Sequence, residues 1–221
     1  VLAAASLAIA ATVFAGCSGG DDNTSSSGSS PSSTAAPAAK TNVAIPLGEV
    51  ITDSAGAPAQ FTPEQSQSVM KVVSDYLTLA TIGPLRTAKP AGELSGLFDG
   101  RALAAVTGVD RAVLLDEGLP EVTGVLNVLG QPVRIVALAD QGGGIVLATA
   151  TLDVAIEGVT EVRGAPLRIL RKGDLVLAPD AGGAWKVTGY NLAVARTGAG
   201  LDPTTTTAAF DATPASAKGT K

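Results

Sequence analysis

The 221-residue chain has no histidine, one cysteine, one tryptophan, two tyrosines and four phenylalanines. Without histidine there is no Ser-His-Asp or Cys-His catalysis, no imidazole proton shuttle and almost no route to a zinc or copper centre. The lone cysteine, Cys17, forms no internal disulfide, so a domain outside the cytoplasm must be held by packing alone. Aromatic residues make up 3% of the chain, which leaves little ring surface for stacking sugars or bases. Charge is sparse as well. Lys and Arg number 15 against 20 Asp and Glu, a formal net charge of −5, and the basic residues are scattered singly, with no footprint for a phosphate backbone. This pattern excludes nucleic acid as a partner.

What is abundant is small and aliphatic: the chain is 46% hydrophobic, chiefly Ala, Val and Leu. Residues 1–15 form an apolar run the length of a signal-peptide core, short of the roughly 20 residues that a spanning helix needs. The run ends at Phe14-Ala15-Gly16-Cys17. Residues 18–40 then supply Ser, Gly, Asp, Thr, Pro and Ala with no larger apolar side chain, too little burial to offset the entropy of ordering. Such a tract is expected to be a flexible tether with a reach on the order of 25 Å.

An apolar run, two small residues, a cysteine and a polar tract together resemble the bacterial lipobox, with Phe14 where Leu is commoner. The resemblance implies that a signal peptidase recognises Phe14, Ala15 and Gly16. Cys17 would then become the N-terminus, carry a diacylglycerol, and hold the protein on the extracytoplasmic face of the cell membrane. No basic segment precedes the run and the chain begins at Val1, so residues 1–16 read as a signal peptide truncated at its start.

Residues 17–42 then read as a lipidated linker, 43–196 as a single α+β domain and 197–221 as a disordered tail. Residues 41–60, with Val43, Ile45, Leu47, Val50 and Ile51 set between prolines and glycines, are expected to form an extended segment or a short strand. Phe61-Thr62-Pro63-Glu64-Gln65 carries a helix start: Thr62 as N-cap, Pro63 in the first turn, Gln65 at the capping-box position and Phe61 as a staple. Val69, Met70, Val73, Tyr76, Leu77 and Ala80 form one apolar face, and Gly83-Pro84 is expected to stop the helix. Residues 91–115 suggest shorter helices broken near Gly100 and Gly108.

From Glu121 the period changes to two, with β segments at 122–128, 133–138, 145–156, 167–177 and 185–195. Turn chemistry at Leu129–Pro132, Asp140–Gly144, Arg171–Asp174 and Pro179–Gly183 predicts antiparallel neighbours. The expected architecture is N-terminal helices packed on one face of a curved antiparallel sheet. This order, closing on the strand Trp185-Lys186-Val187-Thr188-Gly189-Tyr190, resembles the NTF2-like, cystatin-like α+β cone. That fold hosts isomerases, dehydratases and inert adaptors, so the resemblance assigns no reaction.

An enzyme of that kind would set acids or a tyrosine in the mouth of the cone, where Tyr76, Asp99, Asp116 and Tyr190 are the candidates. Each also reads as a surface carboxylate or a core tyrosine, because nothing in the spacing pairs two carboxylates. Asp110, Asp116, Glu117 and Glu121 read as a solvated loop face and not a Ca²⁺ site. Gly142-Gly143-Gly144 reads as a hairpin turn, and Trp185 as a core plug. No metal or cofactor is expected. The leading expectation is a non-catalytic lipoprotein whose domain binds a protein partner or a small apolar ligand, with Tyr76, Asp116, Trp185 and Tyr190 as pocket or contact residues. An NTF2-like acid/base enzyme and an extracytoplasmic lipid carrier are the alternatives.

Overall fold

The computed structural model describes residues 40–54, 56–162 and 164–210. Phe14, Ala15, Gly16 and Cys17, where a lipobox is expected, lie outside the described residues. The architecture is α+β: an eight-stranded mixed sheet with helices on one face.

The helical layer begins where the sequence places it. Thr62 Oγ1 accepts from the Gln65 amide, and the Thr62 amide donates to Gln65 Oε1, closing the capping box that starts α1 (Pro63–Leu77). The face carrying Val69, Val73, Tyr76 and Leu77 is buried, while Met70 is only partly so. Gly83-Pro84 does not stop the helix as expected. A π-helical turn (Thr78–Ile82) re-registers the hydrogen bonds, and Pro84 falls in the first turn of α2 (Gly83–Thr87), where a missing N–H leaves no ladder bond broken. The true stop is Ala88, with φ of 48°. Helices α3 (Gly100–Thr107) and α4 (Arg111–Leu114) follow, separated at Gly108 as expected. Among the described residues no helix is long and apolar enough to cross a membrane.

The strands are β1 (Thr41–Ala44), β2 (Leu47–Ser54), β3 (Val122–Gly130), β4 (Val133–Ala139), β5 (Ile145–Thr160), β6 (Pro166–Pro179), β7 (Trp185–Gly198) and β8 (Leu201–Phe210). From β3 onward all pairings are antiparallel, as the sequence predicts, but β1 pairs with β3 and β2 with β4 in parallel. The expected all-antiparallel sheet is therefore corrected to a mixed one. Its cause is the helical layer: the chain leaves β2, crosses the sheet face as helices and returns at β3 in its original direction.

Two expected turns are also corrected. Strands β3 and β4 do not pair with each other but lie end to end along β5, Gly130 opposite Val154 and Arg134 opposite Thr151. Pro132 has no N–H to give the ladder, so Gln131-Pro132 interrupts a strand line without reversing it. Likewise β6 runs straight through Arg171–Asp174, with Gly173 absorbing a φ of 135° inside the strand. The turns at Asp140 and Asp180 are as expected. Asp140 Oδ1 accepts from the Gly142 and Gly144 amides at 2.9 and 2.8 Å, and Asp180 Oδ1 repeats this with Gly182 and Ala184 at 2.8 and 2.9 Å.

The tail expected from residue 197 is also corrected in part, because Leu201–Phe210 forms β8 on the edge of β7. Four consecutive threonines, low in hydropathy, carry the β-branched side chains that suit a strand.

Alternation fixes the two faces of the sheet. In β5, Ala148, Ala150, Leu152, Val154 and Ile156 are buried toward the helices; α1 and α3 lie against β7, and α4 against β7 and β8. The opposite face carries cross-strand ion pairs, Lys172–Asp153 at 3.2 Å and Arg168–Glu157 at 3.3 Å. Those exposed pairs are each worth about 0–1 kcal/mol, so the packed face dominates stability.

Candidate functional site: a buried arginine–aspartate cluster

Alternation on the packed face puts Arg171 of β6 in phase with Leu167 and Ile169, and Arg196 of β7 in phase with Leu192 and Val194. In the register Arg171 stands opposite Val194 and Ile169 opposite Arg196, so the two arginines are diagonal neighbours on one face. Both reach a single carboxylate. Arg171 Nη2 donates to Asp116 Oδ2 at 2.5 Å and Arg196 Nε to Asp116 Oδ1 at 2.6 Å; the Asp116 and Arg171 side chains are fully buried.

The π-helical turn supplies the rest of the frame. The Asp116 amide donates to the Ala80 carbonyl at 2.8 Å, and Thr81 Oγ1 donates to Asp116 Oδ2 at 2.5 Å while accepting from Arg171 Nε at 3.0 Å. Arg171 Nη1 donates to the Tyr76 hydroxyl at 2.6 Å, and that hydroxyl donates to the Leu114 carbonyl at 3.3 Å. The guanidinium also lies over the Tyr76 ring, 5.3 Å from its centroid. Arg196 Nη2 donates to the carbonyls of Val113 and Leu115, fixing the end of α4 to β7. Two cations and one anion leave the cluster with an excess positive charge. Burial is the largest influence on Arg171 and opposes its charge, but the Asp116 carboxylate and Tyr76 together outweigh it and hold the guanidinium protonated.

Tyr190 sits one ring away, beyond Phe98, which is edge-on to Tyr76 at 6.0 Å and to Tyr190 at 6.3 Å. The Tyr190 hydroxyl donates to Asp110 Oδ2 at 2.7 Å. Of the residues singled out from sequence, Tyr76 and Asp116 are therefore bridged by Arg171, and Tyr190 reaches Tyr76 through Phe98. Trp185 lies elsewhere, 8% exposed and edge-on to Phe61 at 5.8 Å; it packs into the core there and also lines a surface hollow of about 280 Å³ with Val72 and Gly183. Asp99 accepts from the Gly100 amide at 2.7 Å as the N-cap of α3 and takes no part in the cluster. The expected solvated acidic face is corrected at two of its members. Asp116 is enclosed by the arginines, and Glu117 makes a two-pronged pair with Arg111 at 2.7 and 3.0 Å. No group that would hold a metal occurs among the described residues.

Burial pushes the Tyr76 phenol above the usual tyrosine range, with the Arg171 charge opposing part of the rise; burial and then the Asp110 hydrogen bond push Tyr190 up as well. These are the only tyrosines in the chain. Because both folded values exceed the unfolded value of about 10, the stabilisation is complete below about pH 10 and is lost as pH rises toward the folded values. Spectrophotometric titration should therefore show tyrosinate appearing only with unfolding, as followed by circular dichroism. A native protein with half its tyrosine ionised near pH 10 would contradict this.

Chemically, the cluster is closed. Asp116 accepts from three donors, and none of the open cavities described around the domain is lined by it. An open groove of about 630 Å³ lies at the far end of β3, β5 and β6, with Val125, Val159, Asn127, Glu157 and Arg168 in its walls. A second hollow of about 280 Å³ shares Glu157 and Arg168 with it. Arg171, Arg196 and Thr81 were not singled out from the sequence; the signal that could have found the arginines was their place in the apolar phase of two strands. Comparison with family models, curated proteins and solved structures finds no match to this chain.

Proposed function

We propose that the chain is a lipid-anchored cell-envelope lipoprotein, attached through Cys17 on the extracytoplasmic face, whose domain is a non-catalytic module that binds a protein partner. The observation that supports the non-catalytic reading is the enclosure of Asp116, fully buried and held by Arg171, Arg196 and Thr81. A general acid or base must exchange a proton with substrate, and this carboxylate is fully buried and lines none of the described cavities. The space between helices and sheet is occupied by Tyr76, Phe98, Leu114, Leu152, Val194 and their neighbours, which favours an external binding surface over an enclosed ligand. The finer fold reading is the NTF2-like, cystatin-like cone used as an adaptor, supported by helices that precede the antiparallel strands and pack on one face. Anchoring rests on Phe14-Ala15-Gly16-Cys17 and the polar tract behind it.

Metabolic labelling with a fatty-acid analogue should mark the wild-type protein and leave Cys17→Ala unmarked; equal labelling of both overturns the anchor. Native mass spectrometry should find the domain without a bound small molecule. A copurifying apolar ligand would replace the protein-binding reading with the carrier one.

A further inference from the structure

β1 is the one described strand with every side chain exposed: Thr41, Asn42, Val43 and Ala44, with Lys40 before them exposed as well. Its ladder is short, running in parallel with β3 from Thr41 opposite Leu126 to Ala44 opposite Leu129. Little apolar surface is lost if it lifts, so hydrogen bonds hold it, and their net worth against water is modest. The chain is fixed directly afterwards. Ile45 packs against the core, and the Pro46 carbonyl accepts from the Val133 amide at 2.9 Å.

Arg86 in α2 is the remaining tie. Its Nη2 donates to the Lys40 carbonyl and, at 3.4 Å, to Thr41 Oγ1, while Nη1 donates to the Val122 and Gly124 carbonyls at 3.0 and 2.9 Å. One guanidinium thus spans β1 and β3. All four acceptors are neutral, and Arg86 Nε is buried with no partner among the described residues, so the closed arrangement carries an unpaired donor.

We infer that residues 40–44 form a strap, hinged at Ile45 and latched by Arg86, that lifts off β3 as a unit while the rest of the domain stays folded. Opening frees about 17 Å of extended chain. It also bares the backbone edge of β3 at Leu126–Leu129, beside the groove lined by Val125 and Asn127. A segment with few buried contacts and exposed ladder bonds opens at a lower free energy than the whole fold. The strap is such a segment; β6 and β7, paired from Leu167 to Pro179 in the middle of the sheet, are the opposite case.

Hydrogen exchange on the full chain, read residue by residue by NMR, is the test. The Leu126 amide donates to the Lys40 carbonyl at 2.9 Å and so reports on the strap. It should exchange at least about 100-fold faster than the amides of the β6–β7 ladder, a comparison that needs no variant. Arg86→Met should speed Leu126 about tenfold more than it speeds β6–β7. Asn42 and Asn127 stand opposite each other and share a hydrogen bond at 3.2 Å. In a Cys17→Ala background, Asn42→Cys with Asn127→Cys should therefore close a disulfide that slows Leu126 at least about tenfold, reversed by a reductant. The inference is overturned by a wild-type Leu126 amide as slow as β6–β7, by equal acceleration of both in Arg86→Met, or by a disulfide that leaves Leu126 fast.

Discussion

Asp116→Asn should destabilise the domain by about 3–5 kcal/mol, a large fraction of the whole stability of a domain this size. The substitution is nearly isosteric, so its effect is electrostatic. It removes the carboxylate that Arg171 and Arg196 share and leaves two guanidiniums buried on the packed face with no counter-charge. It also turns one of the two acceptor oxygens into a donor NH2, which then faces either Arg171 and Thr81 or Arg196 donor to donor. Removing one cation should do less. Arg196→Met leaves the Asp116–Arg171 pair intact and loses a partly accessible side chain, while Arg171→Met also strips donors from Tyr76 and Thr81. The expected order of loss is Asp116→Asn, then Arg171→Met, then Arg196→Met. Replacing all three by apolar residues should recover much of the loss, because a buried ion cluster owes little net stability to its charges once desolvation is counted. Urea unfolding read from Trp185 fluorescence measures each variant. A loss under about 1 kcal/mol for Asp116→Asn would mean that water already solvates the cluster.

How much of this could be seen in the sequence depends on the range of the physics. The start of α1 was legible because a capping box is local: Thr62 and Gln65 are three residues apart and satisfy each other. The Asp-Gly hairpin turns were legible for the same reason. The π-helical turn was not, since it depends on Asp116 taking the Ala80 carbonyl from 36 residues away in sequence. The parallel pairing of β1 and β2 was hidden because it follows from where the helical layer returns the chain. At the site, Tyr76, Asp116 and Tyr190 stood out as polar groups near apolar runs, whereas Arg171 was absorbed into an expected turn around Gly173. Its position in phase with Leu167 and Ile169 was the better guide: a charged residue at an apolar position of a strand demands a buried partner. β8 was missed for a compositional reason, since a threonine run is polar enough to read as tail and branched enough to be strand.

That same glycine carries the second large effect. Gly173→Ala should destabilise the fold by at least about 3 kcal/mol or prevent soluble expression. Gly173 holds a φ of 135°, a region L-residues rarely occupy, and a Cβ there would sit 2.0 Å from the Asn191 carbonyl oxygen and 3.1 Å from Leu192 Cα. Both are backbone atoms of β7, so no rotamer change relieves the clash; the two central strands must separate or β6 must twist. Either movement shifts Arg171, two residues away, against an Asp116 carboxylate held by β7 and the π-helical turn. The strain and the cluster are therefore coupled. Gly173→Ala in an Asp116→Asn background should lose less than the sum of the single losses, by about 0.5 kcal/mol or more. Gly96→Ala is the control, since a Cβ there meets nothing within 4 Å. Thermal or urea midpoints near wild type for Gly173→Ala would show that β6 and β7 adapt at this point without strain, and strict additivity with Asp116→Asn would show that Gly173 does not position Arg171.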